Sequence, residues 1–424
     1  MDGEMPDGWR GVKLREICGL TRDSIDPAKS PSEVFRHFSI PAFDAGHGPK
    51  LERGREILSS KFIVPPNSVL FSKLNLRIPR VWLPDSGPEE LRAICSTEFL
   101  VLQPKPGRLS RRYLYHALRS ERLLVRLVSE AAATTNSHQR IRPDDLLNHF
   151  VHTPPAAQQD SIVAILDAID EAIEKTEAVI AATEDLRKAL LQELLTHGVP
   201  GWHTEWKTVP GIGEIPVCWE VVRLGEVARE PIRNGFSAGT LVDETGWWLL
   251  TLGAVSHRGF VPAGARPTLP DARVRSFALQ PGDLVVSRSN TSDRVGLAGI
   301  YTGTPNNCSY PDLLMRVRVN PRRALVELIE AQLLSGRGRT YFQQQARGTS
   351  SSMVKITAEI LRAFPLVLPC LGEQSKILHV AAAVNDRLTN LADGRIALGV
   401  LKETMSDALL SGRVRVPMRE GDAS

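Results

Sequence analysis

Two short apolar runs, Val69-Leu70-Phe71-Ser72 and Leu284-Val285-Val286-Ser287, each hand over to a cation and an amide: Lys73 and Asn75 in the first, Arg288 and Asn290 in the second. Turn residues precede each run (Pro65-Pro66-Asn67 and Gln280-Pro281-Gly282), and further cations follow, Arg77 and Arg80 in one case and Arg294 in the other. A turn, a buried strand and a loop tipped with a cation and an amide supply the groups that meet phosphate oxygens and base edges. A second pair of loops repeats the theme, Ala133-Thr134-Thr135-Asn136-Ser137-His138-Gln139-Arg140-Ile141 and Gly348-Thr349-Ser350-Ser351-Ser352-Met353-Val354-Lys355-Ile356. Small hydroxyl and amide side chains ahead of a cation make a donor-rich tip, which singles out Thr135, Asn136, Arg140, Ser350, Ser351 and Lys355. The plainer reading is that Lys73 and Arg288 cover the polar side of a strand, and that the second pair are ordinary Ser/Thr turns. A cation at the same place in both copies favours contact with a polyanion.

Signatures of catalysis are missing from the sequence. There is no Gly-x-x-x-x-Gly-Lys-Ser/Thr, and Gly336-Arg337-Gly338 reads as a basic turn. The Pro-Pro pairs, Pro65-Pro66 and Pro154-Pro155, lack the flanking residues of an amino-methyltransferase pocket. Pro143-Asp144-Asp145 and Pro311-Asp312 are not followed by the acid-x-Lys of a metal nuclease, and neither Gly-x-Ser-x-Gly nor His-Glu-x-x-His occurs. The five cysteines are scattered without a Cys-x-x-Cys pair, which speaks for reduced thiols in a cytoplasm and against zinc or a disulfide framework. No signal peptide and no run of eighteen apolar residues is found, so no membrane span is expected. The chain reads as one that binds and does no chemistry of its own, with no metal and no cofactor.

The elements that must hold these loops are arranged by a repeat. From Ala156 to His197, apolar residues at Ile162, Ile165, Leu166, Ile169, Ile173, Val179, Ile180, Leu186, Leu190, Leu191 and Leu194 keep a three-and-four spacing with no Pro or Gly between them. That predicts one helix of about forty residues, on the order of 60 Å long, which needs a partner. Ile377, Val380, Val384, Leu388, Leu391, Ile396, Leu398, Leu401, Met405 and Leu409-Leu410 predict a second such helix. The candidate pairing residues are Ile162, Ile165, Ile169, Ile173, Ile180 and Leu186 on one helix and Ile377, Val384, Leu388, Leu391 and Leu401 on the other. Pro154 and Pro369, Gln159 and Gln374, Ile162 and Ile377, and Leu195 and Leu410 are all separated by 215 positions, so the chain is two copies of one unit. Lys73 and Arg288, and Arg140 and Lys355, obey the same offset.

Trp9 and Trp219 open the two globular parts, separated by 210, and are expected to anchor a short strand and turn in a core. Helices are expected at Tyr113 to Ser129 and Leu325 to Ser335. Between these landmarks, residues 22–60 and 228–275 share almost nothing. The net charge of +4 conceals alternation: residues 1–150 hold 23 Lys and Arg against 18 Asp and Glu, residues 151–200 hold 3 against 9, residues 201–365 hold 19 against 14, and residues 366–424 hold 7 against 7. Basic globular parts suit a polyanion and an acidic rod does not.

The chain resembles the specificity (S) subunit of type I restriction-modification enzymes. The resemblance rests on Pro154-Pro155-Ala156-Ala157-Gln158-Gln159, on Ile162 to Asp170, on Leu186 to Gly198, and on Leu368-Pro369, Glu373-Gln374 and Leu409 to Val414 in the second copy. Gln158 departs from the usual Glu that Glu373 retains. The resemblance implies an α+β fold in which two globular α/β target-recognition domains alternate with two long helices that pair as an antiparallel coiled coil, with pseudo-twofold internal symmetry. It implies domains at 1–153 and 201–367, helices at 154–200 and 368–413 and a tail at 414–424. Double-stranded DNA would be read at an asymmetric, bipartite site for phage defence, the helices fixing the gap between half-sites that recur at about 10 bp per turn. Two methyltransferase (M) subunits and restriction (R) subunits would be the partners, carrying the S-adenosylmethionine, ATP and magnesium, and DNA methylation would act on a flipped adenine. Two alternatives stay open, a specificity subunit of a modification-only or phage-defence methyltransferase and a coiled-coil scaffold that binds no DNA.

Overall fold

A computed structural model describes residues 6–46, 48–85, 87–88, 90–131, 140–237, 239–348 and 353–416. The chain divides into two compact units, Met1–Ala178 with Ala392–Ser424, and Val179–Leu391. Each unit therefore takes a globular part together with a stretch of both long helices.

The central helix runs Ala156–His197 and the C-terminal helix Leu371–Leu410, close to the expected limits. Gly198 and Gly412 follow them with φ of +79° and +76°, the left-handed conformation in which glycine ends helices without strain. The buried and half-buried positions of the central helix include Ile162, Leu166, Ile169, Ile173, Thr176, Ile180, Thr183, Arg187, Leu190 and Leu194. This is an alternation of four and three, the 3.5-residue repeat of a coiled coil. Eight of the matching positions 215 residues on, Ile377, Ala381, Val384, Leu388, Leu391, Leu398, Met405 and Leu409, are likewise apolar and covered. In the first unit Asp170 pairs with Lys402, and Glu177, seven residues on, pairs with Arg395, seven residues back, so the helices run antiparallel. In the second unit Leu190 and Leu194 share a core with Ile377 and Val380. Leu186 and Leu401 do not belong to the seam. They are 60% and 45% exposed, because 183 and 187 already occupy the inward positions and the residue between them points outward.

Both globular parts are built on a four-stranded antiparallel sheet of the same order. In the first unit the strands are Cys18–Thr21, Phe99–Pro104, Val69–Ser72 and Val81–Trp82; in the second they are Arg233–Asn234, Leu314–Val317, Leu284–Ser287 and Ala298–Ile300. Phe99 lies opposite Ser72 and Leu314 opposite Ser287, the same register after a shift of 215. The predicted buried strands are fully buried in both units. A two-stranded ribbon closes each unit, Arg10–Lys13 with Phe150–Thr153 and Glu220–Arg223 with Pro365–Leu368.

The divergent stretches build unlike second sheets. The first unit has five strands, in the order Ser24–Ile25, Lys61–Ile63, Ala93–Cys95, Val34–Phe38 and Lys50–Arg53, and the second has three, Ala265–Pro267, Trp248–Leu250 and Cys308–Ser309. One joint survives the divergence: Val34–Phe38 lies parallel to Ala93–Cys95, and Trp248–Leu250 lies parallel to Cys308–Ser309.

Two expectations are corrected. The helix expected at Tyr113 to Ser129 is two helices, Arg111–Leu118 and Glu121–Ala131, broken at Arg119-Ser120. Gly336-Arg337-Gly338 is not a turn but the start of the helix Gly336–Gln345, capped by Ser335 Oγ accepting from Gly338 N at 3.2 Å. A side chain at Gly338 would stand 2.4 Å from the carbonyl oxygens of Gln332 and Leu333, so glycine is there for close packing.

Candidate nucleic-acid interface

The loops singled out by their chemistry are brought together in pairs. In the first unit Leu74 bridges Arg140, Ile141 N donates to Lys73 O at 3.2 Å, and Lys73 N donates to Glu98 O at 2.8 Å. In the second unit Ser289 pairs with Lys355, Ile356 N donates to Arg288 O at 2.9 Å, and Arg288 N donates to Leu313 O at 2.8 Å. Every partner in the second set is the first set's partner shifted by 215. The chain therefore fastens its two candidate loops to each other by the same backbone bonds twice, at the end of the same buried strand.

The side chains on this corner differ in availability. Asn75, Arg77, Arg140, Arg294 and Lys355 are exposed, while Lys73 and Arg288 are half-buried. Asn75 holds a φ of +51°, a conformation that Asn tolerates better than most residues. Arg140 Nη2 lies 2.9 Å from Glu98 Oε1; the second unit has Leu313 in place of Glu98, so Lys355 carries its charge without that carboxylate. Arg288 Nη1 donates to Asp312 O at 3.2 Å. Asn290 is turned into its own loop, donating to Ser287 Oγ at 3.4 Å and accepting from Thr291 N at 2.9 Å.

Arg80 is a correction. It is 9% exposed and grips Asp44 with two bonds, Nε to Oδ1 at 2.7 Å and Nη2 to Oδ2 at 2.8 Å, so its work is to tie the loop to the short helix Ile40–Asp44. A bidentate pair of this kind satisfies the guanidinium within the protein. Thr135, Asn136, Ser350 and Ser351 lie outside the described residues.

Sequence reasoning used Gln159 and Gln374 only to align the copies and missed what they do. Gln159 Oε1 accepts from Ser110 N at 2.8 Å, and its Nε2 donates to Pro154 O at 2.9 Å and Arg108 O at 3.3 Å. Gln374 repeats all three bonds with Leu325 N, Pro369 O and Arg323 O at 2.8, 2.9 and 3.3 Å. Each buried amide thus locks the start of a long helix to the turn that enters its globular part. The tryptophans, expected in a core and found buried, complete the joint. Trp9 Nε1 donates to Gln158 Oε1 at 2.8 Å, and Trp219 Nε1 donates to Glu373 Oε2 at 2.9 Å. Glu373 Oε1 also lies 2.6 Å from His203 Nε2 and accepts from Val199 N at 3.3 Å, which is what the extra oxygen of Glu over Gln serves here. The recurrence of Gln-Gln and Glu-Gln at one offset was the only signal available.

Among the described residues no group of three His, Cys, Asp or Glu side chains could hold a metal ion, and no helix is long and apolar enough to cross a membrane.

The duplicated frame thus offers a paired basic loop in each copy. Residues 6–182 match the Type I restriction modification DNA specificity domain. Similar proteins include the EcoKI type I restriction enzyme specificity subunit of Escherichia coli, 23% identical over 89% of this chain and 82% of that one. The MjaVIII specificity subunit of Methanocaldococcus jannaschii is 23% identical over 97% and 94%, while the match to the MjaX subunit of the same organism, at 27%, spans about half of either chain (53% of each). A chain from a structure described as showing complex assembly and conformational transition of the type I R-M system shares the fold, with a TM-score of 0.65 at 21% identity over 97% of this chain and all of that one. The chain is thus similar over most of its length to specificity subunits of type I restriction-modification enzymes.

Proposed function

We propose that each unit reads one half of an asymmetric, bipartite site in double-stranded DNA. The loop pairs 73–77 with Arg140 and 288–294 with Lys355 face the backbone and base edges, and the unlike second sheets set which bases are read. The observation that carries this is the twofold recurrence of the backbone bonds assembling the basic corner, with different sheets bolted beside it. A conserved corner suits the uniform phosphate backbone; divergent neighbours suit two different half-sites. In this reading residues 1–153 and 201–367 are the recognition domains, 154–200 and 368–413 the spacer helices, and 414–424 a tail. Two M subunits supply methyl transfer with S-adenosylmethionine, and R subunits with ATP and magnesium supply cleavage, in the cytoplasm. Helix length sets the spacer: one heptad added to each helix keeps the seam and adds about 10 Å, or roughly three base pairs.

The test is methylome mapping of cells that express this chain with its neighbouring methyltransferase. A split motif of two unlike halves, lost on deletion of this chain, is the expected result; a folded complex that methylates no split motif overturns the reading. Arg140→Ala and Lys355→Ala in the assembled complex are each expected to lower the dependence of log affinity on log salt by about 1, and an unchanged slope removes that residue from the contacts.

A further inference from the structure

The first unit contains a cleft of about 90 Å³ between the helix Glu121–Ala131, the strand Phe150–Thr153 and the end of the C-terminal helix. Its walls are apolar at Tyr113, Ala117, Leu123 and Leu410, and Arg122, Arg126, His149 and His152 also line it. Both arginines are exposed, and each lies close enough to both imidazoles to oppose their protonation. Two exposed arginines and two imidazoles thus converge on one small opening, and the like-charge repulsion between them is relieved by the imidazoles staying neutral.

The duplication supplies an internal control. The second unit fills the same place: Tyr341 stands where Arg126 is, Phe364 where His149 is, Val367 where His152 is and Gln332 where Ala117 is, each 215 residues on. There Tyr341 and Phe364 pack edge to face at 5.1 Å between centroids, and Phe342 stacks on Phe364 at 5.4 Å. Arg337, the counterpart of Arg122, is tied down by Pro365 O at 3.0 Å and Gln332 Oε1 at 2.9 Å and lies over the Phe364 ring. In the first unit the aromatic filling is replaced by Arg126 and His149, and alanine stands where the glutamine would have held the arginine. Asp407 also lines the cleft, but its carboxylate is engaged by Arg413.

We propose that this cleft of the first unit is a binding site for a phosphate-class oxyanion, held by Arg122 and Arg126 with His149 and His152 as the inner donors. Burial and the two arginines keep both imidazoles below their usual pKa, carbonyls at Leu410 and Ser411 working against that on His152. An incoming dianion reverses this balance, so binding takes up protons and tightens as pH falls. The other charged or titratable groups facing the imidazoles are Tyr113, whose own pKa lies far above neutrality, and Asp407 paired with Arg413.

Sulfate is the probe, because its charge does not change between pH 8 and pH 6. It is titrated into the full chain at constant ionic strength and followed by calorimetry. Saturable binding at least threefold tighter at pH 6 than at pH 8 is expected. Arg126→Tyr with His149→Phe, which imports the filling of the second unit, is expected to weaken it at least tenfold, as is Arg122→Gln alone. Absence of saturable sulfate binding, or a filled variant that binds as well as the parent, overturns the site; Arg126→Gln at an exposed position decides the matter if the filled variant does not fold. A second arm separates the sources of the phosphate. With a short duplex of arbitrary sequence, a salt dependence lowered by about 1 in the filled variant assigns the site to a DNA phosphate, and an unchanged one assigns it to a free phosphate-bearing ligand. The sulfate result stands whether or not the recognition loops bind DNA.

Discussion

In the first unit the helix Arg111–Leu118 is fastened to the central helix by charge. Arg112 Nε and His116 Nε2 meet Asp167 at 3.1 and 2.9 Å, and Arg119 meets Asp170 at 3.0 Å, where Lys402 joins them. In the second unit the corresponding positions, 215 residues on, are Glu327, Ala331, Leu334, Ala382 and Asn385, and no such set of pairs can form there. The joints divide the other way: Trp9 hydrogen-bonds to neutral Gln158, and Trp219 to Glu373. What persists through the duplication is backbone pairing and the amides that satisfy buried backbone groups. What changes is the chemistry of side chains that only need to fill a contact. Orphaning a buried polar group costs more than exchanging one satisfied contact for another, so the first class resists change and the second drifts.

The strongest break of this comparison is Gln159→Leu or Gln374→Leu. Each leaves a part-buried N–H and two carbonyls, one of them buried, without their partner, for a loss of about 2 to 3 kcal/mol. Urea unfolding followed by hydrogen exchange at the affected joint is expected to give similar losses for the two. A cost confined to one of them would show that the frame is not equivalent in the two units.

Trp9→Phe and Trp219→Phe sharpen the difference between the joints. Losing the indole donor to neutral Gln158 is expected to cost about 1 kcal/mol, and losing the donor to buried Glu373 about 2 to 3 kcal/mol, because a carboxylate deprived of a donor is the costlier orphan. Equal losses in denaturant titrations would remove the distinction.

Acid should separate the units with opposite sign. Burial lowers the pKa of His37, His116, His149 and His152, all in the first unit. The unfolded chain takes up these protons first, so the stability they contribute is intact above the ordinary histidine pKa of about 6.5 and drains away as pH falls below it. In the second unit, burial pushes Glu330 up to about 7, with Ile300 N donating to its Oε1 at 2.9 Å as a partial offset. Its unfolded form ionises near the ordinary 4.5, so stability is lost as pH rises from there to about 7 and regained on acidification. Between pH 8 and pH 5.5, hydrogen exchange is expected to show protection falling at 111–118 and 150–153 and rising around Ile300. Protection that moves the same way in both units would refute the assignment.

The smallest effects belong to Leu186→Ala and Leu401→Ala, equivalent outward positions of the two helices. Each is expected to stay within about 0.5 kcal/mol, whereas Ile173→Ala and Leu388→Ala on the seam should cost clearly more in thermal unfolding. A large loss at Leu186 or Leu401 would mean that those faces are covered.

The sequence alone determined the repeat, the limits of the long helices and the placement of Lys73, Arg140, Arg288 and Lys355 at matching points. These are properties of spacing, and spacing is one-dimensional: a helix of forty residues without a breaker can be read from its own period. Only the tertiary structure decided which cations are free. Arg80 and Arg77 are three positions apart in one loop, yet Asp44, from a stretch the repeat does not share, buries the first and leaves the second exposed. Leu186 looked like a seam residue because a helix of 3.6 residues per turn allows a broad stripe; pairing at 3.5 narrows it and turns that side chain out. Gly336 to Gly338 begins a helix because Ser335 caps it and the preceding helix crowds it, neither of which its glycines announce. The cleft at Arg122 and the filled core at Arg337 come from the same positions of one repeat, and the difference rests on which side chains arrive from elsewhere in each unit.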